Sequence, residues 1–349
     1  MFRRSSKTSQ LSIFTSAESL LSGKALKVYK DAEKWHNQFR IQVTSRIDED
    51  IFRPLFHDNF GASNASIRVL IGMMILKESR GWSDAHLFEE CNFNMLVRSA
   101  LGLSNMDDVI PVESTCYLLR SRIVRHEEAT YENLIEKAFA QVTKSQAIDF
   151  QINGEKIRMD SKLLGSNIAW YSRYELIHET VRQVCISTKS RIEGLLLEDE
   201  VALLRRISGE TGNKVSYRST RLEIETKLVE SGKVIYKIIH GIDDATLAAI
   251  TTLRRVFNDQ YQVVNDVVSV RLKQEISASS VQSPHDTDCQ YRKKDDRQIK
   301  GYSINVTETC DSGDSFNLVT NVLIDTAGAA DCDFLPAAIE ETKEIVSGY

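Results

Sequence analysis

Cysteine pairs, long apolar runs and phosphate-binding loops are all missing from this sequence, and each absence removes a class of protein. The six cysteines stand at 91, 116, 185, 289, 310 and 332, with no C-x-x-C among them. This spacing argues against a disulfide framework or a zinc ribbon and fits a reducing compartment. His285 and Cys289 are four residues apart but lack the further companions that a metal site needs. The most apolar run, "VLIGMMIL" at 69–76, is far too short to span a bilayer and reads as a buried helix. The N-terminal "MFRRSSKTSQLSIFTSAESLLSG" is basic and Ser-rich but has no continuous apolar core, so it does not read as a secretory signal. "GETGNK" at 209–214 is too short for G-x-x-x-x-G-K-[ST], and neither a G-x-S-x-G elbow nor an H-E-x-x-H helix is present. Internal repeats and low-complexity segments are absent. A cytoplasmic protein with no membrane partner is the expectation.

What is present is ordinary in bulk and uneven in detail. The chain has 349 residues, 42% hydrophobic and 27% charged, enough for two or three domains with proper cores. Net charge is −5, but residues 301–349 hold one Lys or Arg against nine Asp or Glu, a net −8, which leaves +3 for the first 300. Acidity therefore belongs to the tail, and whole-chain charge is a poor guide to partners.

Periodicity divides the chain. Residues 1–50 form a helical lead-in, with "ALKVYKDAEKWHNQFRIQV" apolar at helical spacing. Residues 51–145 form a compact helical domain around "SIRVLIGMMILKES" (66–79), apolar nearly all round. Gly81 breaks that helix, Ser83 or Asp84 caps the next, and "MLVRSALGL" (95–103) ends at a glycine. "NMDDVIP" is a loop. "VESTCYLLRSRIVRHEEATYENLIEKAFAQV" then reads as one long helix capped near Ser114 or Thr115. Its Arg120, Arg122 and Arg125 follow three short helices, an arrangement open to two readings: a helix-turn-helix-like DNA reader, or a bundle with arginines on a solvated face.

At about 148–160 the period changes. "AIDFQINGEKIRMDS" alternates around "NGE" and predicts a β-hairpin, with the strand "KIRMD" ending on Asp160. Helical periodicity returns over 174–207 and 243–266, with weak strand character at "KVIYKII" (233–239), so 165–282 reads as a helical insertion. "QIKGYSINVTETCD" (298–311) and "FNLVTNVLIDTA" (316–327) are strands joined by "SGDS", and 330–348 is an amphipathic helix that starts near Asp331 or Asp333. "YRKKDDRQIK" places Arg292, Lys293, Lys294, Arg297 and Lys300 within ten residues. They suit DNA phosphates, or a solvated loop that Asp295 and Asp296 compensate. Trp170 and Tyr171 suit stacking on an unpaired base, or anchoring of a helix. Glu308, Asp311 and Asp325 read as solvent-facing or turn residues.

The segments "RMDSKLLGSNIAWYSRYELIHETV", "SPHDTDCQYRKKDDRQIKGYSINVTETCD" and "NLVTNVLIDTAGAADCDFLPAAIEET" resemble DDE transposases of bacterial insertion sequences. "DNFGASNASIRVLIGMMILKESRGWSDAHLFEECNFNMLVRSALGL", with "PVESTCYLLRSRI" after it, is similar to their InsH-type N-terminal domain. The resemblance runs over about 50–349. It implies an α+β chain: a helical DNA-binding domain, then a ribonuclease H-like catalytic domain at 146–349 that carries the insertion. It also implies phosphoryl transfer on the double-stranded terminal repeats of an element, with three acidic residues holding two magnesium ions about 4 Å apart. Asp160 matches the first of these, as catalytic residue and metal ligand. The family's second acid lies on a strand after the helix that here is 331–346, and its glutamate lies farther on, whereas this sequence stops at "KEIVSGY". A truncated, catalytically incomplete copy is therefore expected, with the Asp160 strand left at a sheet edge and a C-terminal half of marginal stability. The alternative is a non-catalytic regulator that occupies the repeats, as a homodimer or paired with an intact transposase, and inhibits transposition.

Overall fold

The structure, a computed structural model, describes residues 1–5, 14–192, 194–242, 247–294, 296–311, 313 and 316–346, apart from the side chains of 189–191. It is a mixed α and β fold whose contacts form two compact units. The first takes in 1–158, 307–321 and 337–349, and the second takes in 159–306 and 322–336. No helix among the described residues is long and apolar enough to cross a membrane.

The first unit begins with α1 (Ala17–Leu20), α2 (Gly23–Lys30) and α3 (Trp35–Phe39), the last running into a π-turn over Arg40–Thr44. A 3-10 segment, Glu49–Leu55, leads to α4 (Ile67–Arg80), the expected central helix. Ser66 caps α4 by accepting from the Val69 amide, and Gly81 closes it in the left-handed conformation at φ 65°. Ile67, Val69, Leu70, Ile71, Met73 and Leu76 are buried among Phe52, Leu87, Val97, Leu101, Leu119, Ile123 and Leu134. A mostly apolar helix of this kind is stable only when surrounded. Ser83 caps α5 (Asp84–Phe93), and Asn94 both ends α5 and caps α6 (Met95–Ala100) through the Leu96 and Val97 amides.

The long helix expected from 112 onward is two helices, α7 (Glu113–Thr130) and α8 (Leu134–Phe150). Tyr131 turns left-handed at φ 59°, and the Asn133 side chain accepts from the Ile135 and Glu136 amides to start α8. The break is thus an asparagine N-cap that the helical period conceals. Because α8 continues to Phe150, the hairpin expected at 148–160 does not form. Its "NGE" is a connector in which Gly154 sits at φ 68°, where a Cβ would lie 2.9 Å from Val346.

Strand β1 covers Ile157–Gly165, so it runs on past Asp160 instead of ending there. The second unit holds α9 (Arg173–Ile192), α10 (Glu198–Gly209), α11 (Gly212–Arg218), α12 (Arg221–Gly241) and α13 (Ala248–Gln260). "KVIYKII" is helical within α12, its Val234, Ile235 and Ile238 meeting the core at helical spacing. The helical pattern read over 243–266 stops at 260. Here β2 (Tyr261–Val264) and β3 (Val267–Val270) pair antiparallel around Asn265 and Asp266, at φ 50° and 62°. Positive φ at both turn residues is the I′ hairpin signature, which Asn and Asp tolerate.

Three strands complete the main sheet: β4 (Gln290–Lys294), β5 (Arg297–Thr309) and β6 (Val319–Thr326). The order is β1-β5-β4, with β6 also on β5, so β1 ends the sheet. The "SGDS" connection lies outside the described residues, except Gly313. Helix α14 (Asp331–Val346) follows. The Cys310 amide donates to the Lys156 carbonyl and the Ser166 amide to the Lys300 carbonyl. These bonds fix an antiparallel β1–β5 register that sets Asp160 opposite Val306.

The sheet buries polar groups. Ser303, Asn305, Thr307 and Thr309 of β5 and Thr320 and Asn321 of β6 are buried, while Leu164, Val306, Val322 and Ile324 are exposed. Hydrogen bonds make this tolerable. Asn305 Nδ2 donates to Ser161 Oγ at 2.8 Å, Thr320 and Thr342 hydroxyls pair at 2.7 Å, and Asn321 donates to Glu341.

Candidate functional site

Asp160 stands mid-strand on the exposed side of β1, between Arg158 and Lys162 on the same side. The Glu308 carboxylate on the neighbouring strand is tied to Arg158, whose Nε donates to Oε1 at 2.5 Å. Asp311 accepts from the Lys156 amide at the start of β1, and Asp325 accepts from the adjacent Thr326 amide at the end of β6, so both carboxylates are engaged by backbone amides and neither marks a turn. Among the described residues no three His, Cys, Asp or Glu side chains gather in a group able to hold a metal ion. A dication needs several converging oxygens. One exposed carboxylate between two cations does not fit magnesium, and no metal-dependent step follows from these residues.

The α7 arginines differ from one another. Arg120 Nη2 lies 3.9 Å from Glu78, Arg122 packs its guanidinium over the Phe56 ring at 5.1 Å, and Arg125 is exposed. Arg122 and Arg125, three residues apart, share one side of the helix. The helix also carries Glu113, Glu127 and Glu128, equal in number to its arginines, and it exposes Tyr117, Leu118 and Val124. Its outer surface is mixed, with Arg125 as its freest cation.

The basic segment at 291–300 is a hairpin and not a loop, with Lys294 paired to Arg297 and Tyr291 to Lys300. Lys293, Lys294 and Arg297 are exposed at its tip beside Asp296; Asp295 lies outside the described residues. Arg292 turns inward, and its Nη1 donates to the Ala327 and Ala329 carbonyls at 2.8 and 3.0 Å. It fastens the chain between β6 and α14. Lys300 is only 8% exposed, with Nζ 5.1 Å over the Trp170 ring. Burial lowers its pKa below the usual lysine range. Three of the five cations therefore offer themselves to solvent.

Trp170 thus serves Lys300, although its ring is still half exposed. His285 meets Glu179 at 3.2 Å, and burial raises the Cys289 thiol to about 11. Sequence reasoning missed Arg173 and Lys273, which line a cavity with Lys300. Their distance from Lys300 along the chain left no local pattern to find.

Residues 27–122 match a family model described as a transposase domain (DUF772). The match begins within the lead-in, covers α4 to α6, and includes Arg120 and Arg122 but not Arg125 or Asp160. No curated protein and no solved structure matches the chain. A transposase-related chain is what the family match supports.

Proposed function

We propose that this chain is a transposase-related protein that binds double-stranded DNA at the ends of an insertion sequence. The observation that carries this reading is the transposase-domain match over 27–122, which includes the start of the arginine-bearing face of α7. The exposed Lys293, Lys294 and Arg297 at the β4–β5 tip form a second set of phosphate contacts. Arg120 and Arg125 extend the α7 set, while Arg292 and Lys300 hold the hairpin in place.

The finer reading concerns the C-terminal half. The antiparallel order β6-β5-β1, followed by α14, supports reading this half as the opening of a ribonuclease H-like core, in which Asp160 would take the role of the first acidic residue. Strand transfer with magnesium would require further carboxylates around Asp160. Those at hand are engaged elsewhere, which favours DNA binding over cleavage as the activity of this polypeptide. A second reading follows from the same observation. A chain that occupies the element ends, alone, as a homodimer or beside an intact transposase, without cutting them would inhibit transposition.

The test is fluorescence anisotropy with an element-end duplex and a scrambled duplex of equal length. Each phosphate contact removed should flatten the slope of log K against log salt by about 0.9. Arg122→Gln with Arg125→Gln, and separately Lys293→Gln, Lys294→Gln and Arg297→Gln, are each expected to weaken binding and flatten that slope. Unchanged affinity and slope in both sets would remove these residues from the interface. Equal affinity for the two duplexes would remove the end-specific claim.

A further inference from the structure

The second unit contains a cavity of about 610 Å³ whose lining includes Arg173, Gln260, Lys273, Lys300, Tyr171 and Tyr291. Among the described residues no carboxylate lines it. The β4–β5 register places Tyr291 and Lys300 directly opposite each other, so both belong to one wall. Lys300 is more than nine-tenths buried, and among the described residues its ammonium has the Trp170 ring but no hydrogen-bond acceptor or carboxylate. Arg173 is held rigidly, Nη1 on the Arg271 carbonyl at 2.8 Å and Nη2 on the Gln260 carbonyl at 2.6 Å, which leaves its charge uncompensated. Among the described residues its buried Nε has no partner, and neither has the buried Oε1 of Gln260. Lys273 is exposed at the rim.

Buried cations without counter-charges are costly, and polar atoms out of reach of water seek partners. An anion between Lys300 and Lys273 satisfies the first condition, and a hydrogen-bond donor on the same ligand satisfies Gln260 Oε1. The volume suits a ligand larger than a bare ion, and the two tyrosines provide apolar wall. The Ser172 amide at the start of α9 is already taken by Glu175 at 2.8 Å, so the attraction comes from side chains and not from the helix end.

We propose that this cavity binds a phosphate monoester of nucleotide size, with its phosphate between Lys300 and Lys273 and its donor groups toward Gln260. The phosphate belongs either to a free nucleotide or to the 5′-terminal nucleotide of a DNA strand. The proposal stands apart from end-specific DNA binding, because a free nucleotide alone would support it.

Isothermal titration of the full chain decides the matter, with four probes: AMP, adenosine, and one short single strand carrying either a 5′-phosphate or a 5′-hydroxyl. Binding of AMP but not adenosine assigns the site to a free nucleotide. Binding that requires the 5′-phosphate on the strand, with AMP inert, assigns it to a DNA end. In either case Lys300→Met and the rim variant Lys273→Gln should each weaken binding about tenfold to a hundredfold, the range of a lost charge-assisted contact. Lys273→Gln alters only an exposed side chain, so its result stands even if Lys300→Met unfolds. The proposal is overturned if phosphate makes no difference in either probe pair, or if Lys273→Gln and a folded Lys300→Met bind as the native chain does.

Discussion

Replacing Gly232 by alanine sets two opposing effects against each other inside α12. In an ordinary helix interior, glycine to alanine stabilises by about 1 kcal/mol. Here the new Cβ would lie 2.4 Å from Tyr261 Cε1 and 2.8 Å from Cδ1, well inside the roughly 3.5–4.0 Å of a carbon–carbon contact. The ring has little freedom to retreat. Tyr261 is buried, stacks on Phe257 with centroids 5.2 Å apart, and donates its hydroxyl to the Leu228 carbonyl, one turn back on α12, at 2.8 Å. Overpacking costs about 1–3 kcal/mol, and pulling the hydroxyl off its acceptor adds about 1–3 kcal/mol. The net expectation is a loss of about 2 kcal/mol. The chain has two units, so the readout is local: amide hydrogen exchange in α12, expected to quicken roughly 30-fold. Adding Tyr261→Leu to Gly232→Ala removes the ring and should recover part of the loss. Slower exchange in Gly232→Ala would show that helix propensity outweighs the contact and would refute the packing argument.

Two further perturbations follow from buried ionisable groups. His178 is 1% exposed, neither ring nitrogen has a partner among the described residues, and burial lowers its pKa from 6.5. A lowered histidine pKa gives stability that is present above the unfolded value and is lost as pH falls through the folded value. Exchange in α9 should therefore quicken as pH drops below about 6.5, after correction for intrinsic rates, and His178→Leu should flatten that dependence; a profile unchanged by the substitution would contradict it. Glu49 is fully buried and accepts from the Ser5 amide and hydroxyl at 2.6 Å and from the Arg68 amide at 3.1 Å. Glu49→Ala leaves buried Arg68 without its counter-charge, at a cost of about 3–5 kcal/mol. A melting temperature within a degree of the native chain would rule that out.

Much of the helical part was legible because its signals are local. The all-round apolar run over 66–79, Gly81 and Ser83 mark the ends of α4 and α5 by backbone chemistry that short stretches carry by themselves. Asn133 carried the same kind of signal, but the long apolar period around it masked the break between α7 and α8. At 233–239 β-branched residues suggested a strand, yet burial of Val234, Ile235 and Ile238 against α13 makes the segment helical. The Asn265–Asp266 turn is hidden for the converse reason, since the helical pattern of α13 runs on through it in the sequence. Of the candidate site, the clustering of five cations within 292–300 and the placement of Asp160 on a strand are legible in the sequence, whereas the hairpin that carries the cations and the continuation of β1 past Asp160 are not. The inward turn of Arg292 and Lys300 is not legible either, because their partners, Ala327, Ala329 and Trp170, are far away along the chain.

Binding of the intact chain to an element-end duplex, followed by anisotropy across a salt series, tests the central claim most directly. Tighter binding to the end than to a scrambled duplex, with log K falling linearly in log salt by about 0.9 for each phosphate neutralised, is the result expected. No binding at low salt would contradict it.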